Sequence, residues 1–291
     1  MTKHYRPRRS MLYVPCNKVR YLEKARELPV DSLILDLEDP VLPEMKDVAR
    51  SNAVEAIRQG GFGHRELVVR VNKLDTPWGE DDVRAVANIG ANAILFPRIE
   101  SKQDVQAALA ALDSAGAVDM PIMVLIESPL GVLHAEEIAG ASERIACIVM
   151  GTTDLTNSLH AHATPERLPM LHSLSHCVLA ARAFKRSIVD GIHTELKDAH
   201  AFEYACRMAR DLGFDGKSLI HPYQISYAND VFTPKKANLD IARRVIAAMD
   251  DAKTAGCGVA VVDGRLVENL HVETAKRMLA THELIEKAGK P

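Results

Sequence analysis

The chain has 291 residues, 47% of them hydrophobic and 26% charged, which is the composition of an ordinary globular protein. Its 36 basic and 39 acidic residues leave a formal net charge of −3, so no overall field draws it to nucleic acid or to an anionic membrane. No apolar run approaches the ~20 residues that span a bilayer. The five cysteines are scattered and never spaced as Cys-x-x-Cys, which favours reduced thiols and a cytoplasmic location over a disulfide framework.

Eight short apolar runs predict β-strands, and the segments between them show the three- and four-residue apolar spacing of helices. Strands that alternate with helices predict a parallel sheet, and eight such units within about 220 residues predict a (β/α)₈ TIM barrel. An open doubly wound sheet is the alternative, but the turn from Pro15 to Arg20 lacks the Gly-x-Gly-x-x-Gly fingerprint of nucleotide binding. The predicted strands begin near Met11, Ser32, Glu66, Ala93, Pro121, Ile145, Ser187 and Lys217.

Two of these runs are followed by carboxylates that are candidates for one metal site. Residues 122–126 are apolar without alternation, as in a strand buried on both faces, and the run stops at Glu127. Residues 145–150 form the next such run, and Asp154 follows it. Because successive strand ends lie side by side at one rim of a barrel, the two acids are placed to face one hard cation such as Mg²⁺. The alternative is that both acids cap helix N-termini.

Charged residues follow other predicted strands as well, at the point where each apolar run stops. One rim of the predicted barrel therefore gathers acids around a few arginines, and this rim is where barrel enzymes place their active sites. The residues are Asp36, Glu38 and Asp39 after the second strand, Arg70 and Asn72 after the third, Arg98 after the fourth, Asp190 after the seventh and His221 after the eighth.

The pattern of the sequence changes after Tyr227. This change predicts a barrel over residues 1–230 and a C-terminal extension over residues 231–291. Thr233 and Pro234 predict the start of a helix, and Asp263-Gly264 predicts a hairpin turn between two short strands. A last helix is predicted from about His271 to Lys287. An extension of this size is too small to fold alone, so we expect it to pack on the barrel or on a neighbouring subunit.

These motifs resemble, in the same order, those of the citrate lyase β-subunit and malyl-CoA lyase family, within the wider aldolase and citrate lyase superfamily. The likeness covers nearly the whole chain. The motifs that carry it lie at residues 9–15, 35–39, 69–72, 125–127, 151–155, 212–217 and 262–265, together with Lys46 and Arg50.

The resemblance implies a (β/α)₈ barrel that assembles as a homotrimer or homohexamer. It implies that Glu127 and Asp154 bind Mg²⁺, that Arg70 holds the substrate and that Asp36 supports this arginine. It also implies that an acid from the C-terminal segment of the adjacent chain completes the site. The matching position is Glu268, where such lyases usually have Asp, and an extra methylene shifts the carboxylate by about an ångström, enough to cost ~10²-fold in rate.

The activity implied is a Mg²⁺-dependent carbon–carbon lyase that acts on a 3-hydroxyacyl-CoA by retro-Claisen chemistry. The products are acetyl-CoA and a 2-oxo acid: pyruvate from (S)-citramalyl-CoA, which we prefer as substrate, or glyoxylate from malyl-CoA. The phosphates of CoA are expected to bind the basic Arg9, with Arg6 and Arg8.

Several other functions stay open. One is a citryl-CoA lyase β-subunit that releases oxaloacetate within a citrate lyase complex, and another is a non-catalytic acyl-CoA-binding subunit. A CoA-independent aldolase is disfavoured because the second strand end is acidic where that branch has a histidine. A zinc site at His160 and His162 or at His172 and His176 lacks a third ligand. The residue that takes the hydroxyl proton and the direction of the reaction are not specified by the sequence.

Overall fold

The computed structural model describes residues 6–288. The chain forms two compact units, of which the first ends at Phe232 and the second begins at Thr233. None of the helices in this described part is long and apolar enough to cross a membrane.

The first unit is a closed barrel of eight parallel strands, in which each strand pairs with the next and β8 pairs with β1. This confirms the predicted (β/α)₈ barrel, and the strand starts agree with the sequence to within one residue. The strands are β1 (Ser10–Pro15), β2 (Ser32–Asp36), β3 (Glu66–Arg70), β4 (Ala93–Phe96), β5 (Ile122–Ile126), β6 (Ile145–Met150), β7 (Ser187–Asp190) and β8 (Gly216–Leu219).

Helices follow every strand, and the segments after β5 and β6 are divided. Two short helices replace the single one after β5, and a short helix and a long one follow β6. The helices are α1 (Val19–Ala25), α2 (Lys46–Gln59), α3 (Gly79–Val86), α4 (Lys102–Ser114), α5 (Pro129–Leu133), α6 (Ala135–Gly140), α7 (Thr152–Ser158), α8 (Leu171–Ala183), α9 (Ala199–Leu212) and α10 (Gln224–Phe232).

Strand side chains alternate between two apolar cores, which explains why the runs in the sequence are continuous. The outer core lies between the strands and the helices, and the inner core fills the barrel. This alternation also decides which polar residue at a strand end faces into the barrel. The inner core contains Met11, Ile34, Val68, Ala93, Leu95, Met123, Leu125, Cys147, Val149 and Val189, with Tyr13 packed against it.

The second unit has its own small apolar core. It consists of α11 (Lys236–Thr254), the antiparallel strands β9 (Ala260–Val262) and β10 (Arg265–Val267), and α12 (Asn269–Ala288). Asp263 and Gly264 both have positive φ in the turn of the hairpin, as an Asp-Gly turn requires. Met249, Val267 and Val272 are buried between these elements.

Candidate active site

A cavity of about 380 Å³ lies at the carboxyl ends of the barrel strands. Most of its lining residues end a strand or closely follow one: Pro15 ends β1, Arg70 ends β3 and Glu127 follows β5. Part of the lining is apolar and part is charged. The apolar residues include Leu125, Met150, Ile192 and Ile220, and the charged ones are Asp36, Asp39, Arg70, Glu127 and Asp154.

Arg70 is held in the lining by Asp36 of the neighbouring strand. The register of β2 and β3 places the two residues opposite each other. Both side chains turn into the barrel, because Ile34 and Val68, two positions earlier on each strand, belong to the inner core. Nε and Nη2 of Arg70 donate hydrogen bonds of 2.8 and 2.7 Å to the two oxygens of Asp36. A bidentate pair of this kind fixes the plane of the guanidinium.

Two further carboxylates crowd the same guanidinium. Nη1 of Arg70 lies 2.8 Å from Oε2 of Glu38 and 3.1 Å from Oδ2 of Asp39. Burial raises the pKa of Glu38 to about 8; Arg70 lowers this pKa, and Asp39 and Asp36 raise it. This rim therefore holds more negative charge than its arginine balances, so that Glu38 takes up a proton near neutral pH.

A buried lysine fixes the loop that carries these acids. Nζ of Lys46 donates to the carbonyl oxygens of Leu37 and Glu38 and to the side chain of Asn72, at 2.9, 2.8 and 2.6 Å. Asn72 in turn donates through Nδ2 to the Leu37 carbonyl and to Asp82. The ends of β2 and β3 are thereby tied together behind the Arg70 clamp.

Glu127 and Asp154 line the cavity from neighbouring strand ends. Glu127 follows the last residue of β5, and Asp154 lies in the first turn of α7, directly after β6. Arg98 contacts both: its backbone N–H donates to Oε1 of Glu127 at 2.8 Å, and its guanidinium lies 3.7 Å from Asp154. Burial raises the pKa of Glu127 to about 7; the Arg98 hydrogen bond lowers it, and the charge of Asp154 raises it.

The fold leaves room for the Glu127 side chain by placing a glycine opposite it. A Cβ on Gly151 would lie 2.3 Å from Cβ and 2.7 Å from Oε2 of Glu127, closer than atoms in contact can approach. Glu127 is not the cap of the helix that follows, since Ser128 accepts the hydrogen bond from the Gly131 N–H at that position. Its carboxylate is therefore directed to the cavity lining and to Arg98.

The family model described as HpcH/HpaI aldolase/citrate lyase matches residues 9–222 of the chain. The chain belongs to this family. Its full-length relatives include a (3S)-malyl-CoA thioesterase of Cereibacter sphaeroides, which is 44% identical over 289 residues and 99% of both chains. They also include the citrate lyase subunit beta of Leuconostoc mesenteroides subsp. cremoris, 35% identical over 98% of this chain and 97% of the relative.

Among solved structures, the family fold is matched by CitE from Mycobacterium tuberculosis in complex with magnesium, acetoacetate and coenzyme A. The TM-score is 0.76, with 26% identity over 94% of this chain and 97% of that one. The family thus includes enzymes that act on CoA esters and members that bind magnesium and CoA.

The Glu127 and Asp154 pair of this family member fits a hard divalent cation. Both carboxylates border one cavity, and their mutual repulsion contributes to the raised pKa of Glu127, which a bound cation would oppose. No group of three or more His, Cys, Asp or Glu side chains within residues 6–288 is arranged to hold a metal. Two carboxylates beside an open cavity suit Mg²⁺, because this ion usually keeps positions for water and substrate oxygens.

Arg9, predicted to bind the phosphates of CoA, lies elsewhere. It precedes β1 and is therefore at the amino end of the strands, opposite the cavity. Its backbone N–H, Nε and Nη2 all donate to the Asp31 carboxylate, at 2.8, 2.9 and 2.6 Å. Arg8 is buried in the barrel at the same end and pairs with Glu66. This position does not favour the predicted role of Arg9, because proximity to a motif in sequence does not specify which end of a strand a residue occupies.

Asp190 does not join the cavity either. Val189 belongs to the inner core, so the next residue on β7 points outward to the helices. There Asp190 accepts two hydrogen bonds from Arg167, and Nζ of Lys217 lies 2.6 Å from it. Asp190 and Lys217 are fully buried, and Arg167 is partly buried. Lys217 and Arg167 lower the pKa of Asp190 to about 2, more than offsetting the rise that burial causes. The group is a buried ion network between the barrel and its helices.

Glu268, predicted to act in a neighbouring site, lies in the second unit. It follows β10 and is exposed, and its backbone N–H donates to Nδ1 of His271 at 3.2 Å. The exposed position leaves the carboxylate accessible to a partner.

The sequence prediction assigns no role to two residues of the site. In the sequence, Tyr13 is part of the apolar run that forms β1, and nothing in this run indicates that the residue lines the cavity. The sequence places Arg98 at the rim without a role. Its backbone is left-handed, with φ of 51°, and the sequence does not indicate this conformation. Such a conformation is uncommon outside glycine and is worth attention where it occurs. It directs the N–H of Arg98 to Glu127.

Proposed function

We propose that the chain is a magnesium-dependent carbon–carbon lyase that splits a 3-hydroxyacyl-CoA bearing a carboxylate on C3. The observation that carries the proposal is one cavity that joins an arginine clamped by Asp36 to two carboxylates at neighbouring strand ends. Malyl-CoA now ranks ahead of citramalyl-CoA, because the full-length relatives at 44% identity are named for (3S)-malyl-CoA.

In the reaction, the C3 hydroxyl loses its proton, the C2–C3 bond breaks and its electron pair moves into the thioester as an enolate. Glu127 and Asp154 would hold Mg²⁺, whose Lewis acidity would make the C3 hydroxyl more acidic. We assign to Arg70 the stabilisation of the negative thioester oxygen. Because Asp36 fixes its plane before the substrate arrives, little reorganisation is needed as this charge develops.

The enolate carbon must then be protonated to give acetyl-CoA. We assign this step to Glu268 of an adjacent chain, which would donate a proton to C2 or remove it in the synthetic direction. Mixing inactive Glu268→Gln and Glu127→Gln chains should restore activity, because mixed assemblies contain some sites with both residues intact. Mixtures that stay inactive despite proven subunit exchange would contradict the shared site, which we propose within a homotrimer or homohexamer.

The phosphates of CoA need basic residues on the same rim as the cavity. Lys18 and Arg20 meet this requirement better than Arg9, since they follow β1, whose last residue Pro15 lines the cavity, and both are exposed. Lys18 lies 5.5 Å from the ring of Tyr21, which orders its side chain at the start of α1.

Hydrolysis of the thioester of malyl-CoA is the second candidate, favoured by the name of the Cereibacter sphaeroides relative. The two reactions differ in products. A lyase releases glyoxylate and acetyl-CoA and no free thiol, whereas a thioesterase releases malate and free CoA with no oxo acid.

The test is turnover of malyl-CoA, citramalyl-CoA and citryl-CoA, followed by separate assays for 2-oxo acid, acetyl-CoA and free thiol. We expect equal amounts of oxo acid and acetyl-CoA, with activity lost in excess chelator and reduced at least about 10²-fold in Asp154→Asn. Asp119→Asn, an exposed acid before β5 at the other end of the barrel, is the matched control. Thiol release without oxo acid would replace the lyase by the thioesterase, and no turnover would favour an acyl-CoA-binding subunit.

The cysteines support a reducing compartment such as the cytoplasm. All five are free in the structure, and four of them are buried. Burial raises the pKa of the Cys147 and Cys177 thiols to about 12, so neither is a reactive thiolate.

A further inference from the structure

Tyr13 is a polar residue of the cavity that the mechanism above leaves unused. It lies on β1 two positions after Met11, so its side chain also enters the barrel, where it packs against the inner core. Tyr13 also lines the cavity. The residue therefore connects the apolar interior of the barrel to the site above it.

The ring is held against the arginine clamp. The guanidinium carbon of Arg70 lies 4.8 Å from the centre of the Tyr13 ring, a cation–π contact. Asp36 and Glu127 line the same cavity as Tyr13. Tyr13 thus borders the same cavity as the arginine clamp and the Glu127 and Asp154 carboxylates, which is where the reacting carbons of a substrate must be placed.

The hydroxyl of Tyr13 has no hydrogen-bond partner among the described residues. Tyr13 is partly buried, and a tyrosine hydroxyl in such a position normally finds a hydrogen-bond partner in the protein, in water or in a ligand. Tyr223, which is also partly buried, donates to the carbonyl oxygen of Glu195 at 3.4 Å. Burial raises the pKa of the Tyr13 phenol, so that the group is protonated and able to donate.

We propose that the Tyr13 hydroxyl donates a hydrogen bond to an oxygen of the 2-oxo-acid portion of the substrate, an assignment that rests on the proposed function. The acid portion is favoured over the CoA portion because Tyr13 rises from the inner core beneath the clamp, while the long CoA arm has to extend toward solvent. Tyr13 is then a further catalytic residue, which contacts the fragment released as glyoxylate or pyruvate and helps to select it.

The test is Tyr13→Phe, which keeps the ring against Arg70 and removes one oxygen atom. Calorimetry with glyoxylate and with pyruvate, in the presence of Mg²⁺, should show binding weakened about tenfold, the effect of one hydrogen bond of about 1.4 kcal/mol. Binding of acetyl-CoA should stay within twofold of wild type. The melting temperature should be unchanged or slightly higher, because the lost hydroxyl has no partner in the protein.

Tyr204→Phe, at an exposed tyrosine on α9, is the matched control and should change none of these values. Oxo-acid binding in Tyr13→Phe within twofold of wild type would overturn the assignment. So would an equal weakening of oxo-acid and acetyl-CoA binding, which would indicate a general disturbance of the cavity. If wild type binds oxo acids in a Tyr13-dependent manner but cleaves no hydroxyacyl-CoA, the assignment of Tyr13 stands and the lyase reaction does not.

Discussion

The two ends of the barrel carry the same ion pair in different surroundings. At the carboxyl end, Arg70 binds Asp36 through Nε and Nη2 at 2.8 and 2.7 Å. At the amino end, Arg8 binds Glu66 through the same two nitrogens, at 2.8 and 2.7 Å. Glu66 and Arg70 are even the first and last residues of the same strand, β3.

What differs is what surrounds each pair. Ser32 also donates to Glu66, and the Arg8–Glu66 pair is almost completely buried. Arg70 instead borders a cavity of about 380 Å³. The geometry of the bidentate ion pair therefore does not by itself indicate that an arginine binds a ligand. In a barrel, the amino-end pair contributes to stability, and the carboxyl-end pair is exposed to a ligand.

The largest expected effect is on stability, from Arg8→Met. It leaves the carboxylate of Glu66 buried without its partner, which should cost about 3–5 kcal/mol in the free energy of unfolding. The measurement is urea denaturation, and activity per folded molecule should stay within twofold of wild type. The double variant Arg8→Met with Glu66→Leu should recover part of the loss because both charges are gone. If Arg8→Met alone were as stable as wild type, the amino-end pair would not have the stabilising role assigned to it.

Arg70→Lys should have the opposite profile. A lysine keeps the charge but cannot form the bidentate pair with Asp36, so the cation is no longer fixed in the cavity. We expect kcat/KM for the acyl-CoA to fall by about 10²–10³, or roughly 2.7–4 kcal/mol, mainly through kcat. The melting temperature should fall less than in Arg8→Met. Activity near wild type would show that this arginine has only a structural role.

The two ends should also differ in their response to pH. Burial raises the pKa of Glu66, but the charge and hydrogen bonds of Arg8 lower it more, so the net pKa lies below 4.5. Its stabilising effect is therefore present above pH 4.5 and lost as the pH falls through this lowered pKa. Glu38 has a pKa raised to about 8, so it favours the folded state below pH 4.5 and this contribution is lost as the pH rises to about 8.

Glu38→Gln should accordingly flatten the decline in stability between pH 5 and pH 8.5, by on the order of 2 kcal/mol. Urea denaturation in the presence of chelator measures this without interference from metal. Glu55→Gln, at an exposed glutamate on α2, is the control. An unchanged slope in Glu38→Gln would show that Glu38 stays ionised beside Arg70 throughout.

The smallest expected effect concerns the rim beyond the cavity. The double variant Lys18→Ala with Arg20→Ala should raise KM for the acyl-CoA about five- to tenfold, with the effect reduced at high salt because exposed charges are screened. Affinity for glyoxylate should be unchanged, since this acid has no phosphates. Lys24→Ala, later on the same helix and also exposed, is the control. A larger increase in KM from Arg9→Ala than from this double variant would indicate that the CoA phosphates bind the N-terminal arginines instead.

The architecture was largely determined by the sequence itself. Continuous apolar runs such as residues 122–126, separated by helical spacing, specify strands buried on both faces, and eight of them close a barrel. The same pattern placed Asp36, Arg70, Glu127 and Asp154 at strand ends, and all four line the cavity. These positions can be read from the local sequence, because an apolar run ends where its strand ends.

Tertiary structure alone decided which charges face the cavity. Asp190 ends its strand as Asp36 does, yet it points to the helices, since a shift of one residue reverses the face of a strand. Arg9 adjoins a motif but lies at the other end of β1, paired with Asp31. Tyr13 reads as one more apolar residue until the register of β1 brings its ring against Arg70. The partner of a side chain depends on contacts between residues far apart in the chain, and a single sequence does not specify those distances.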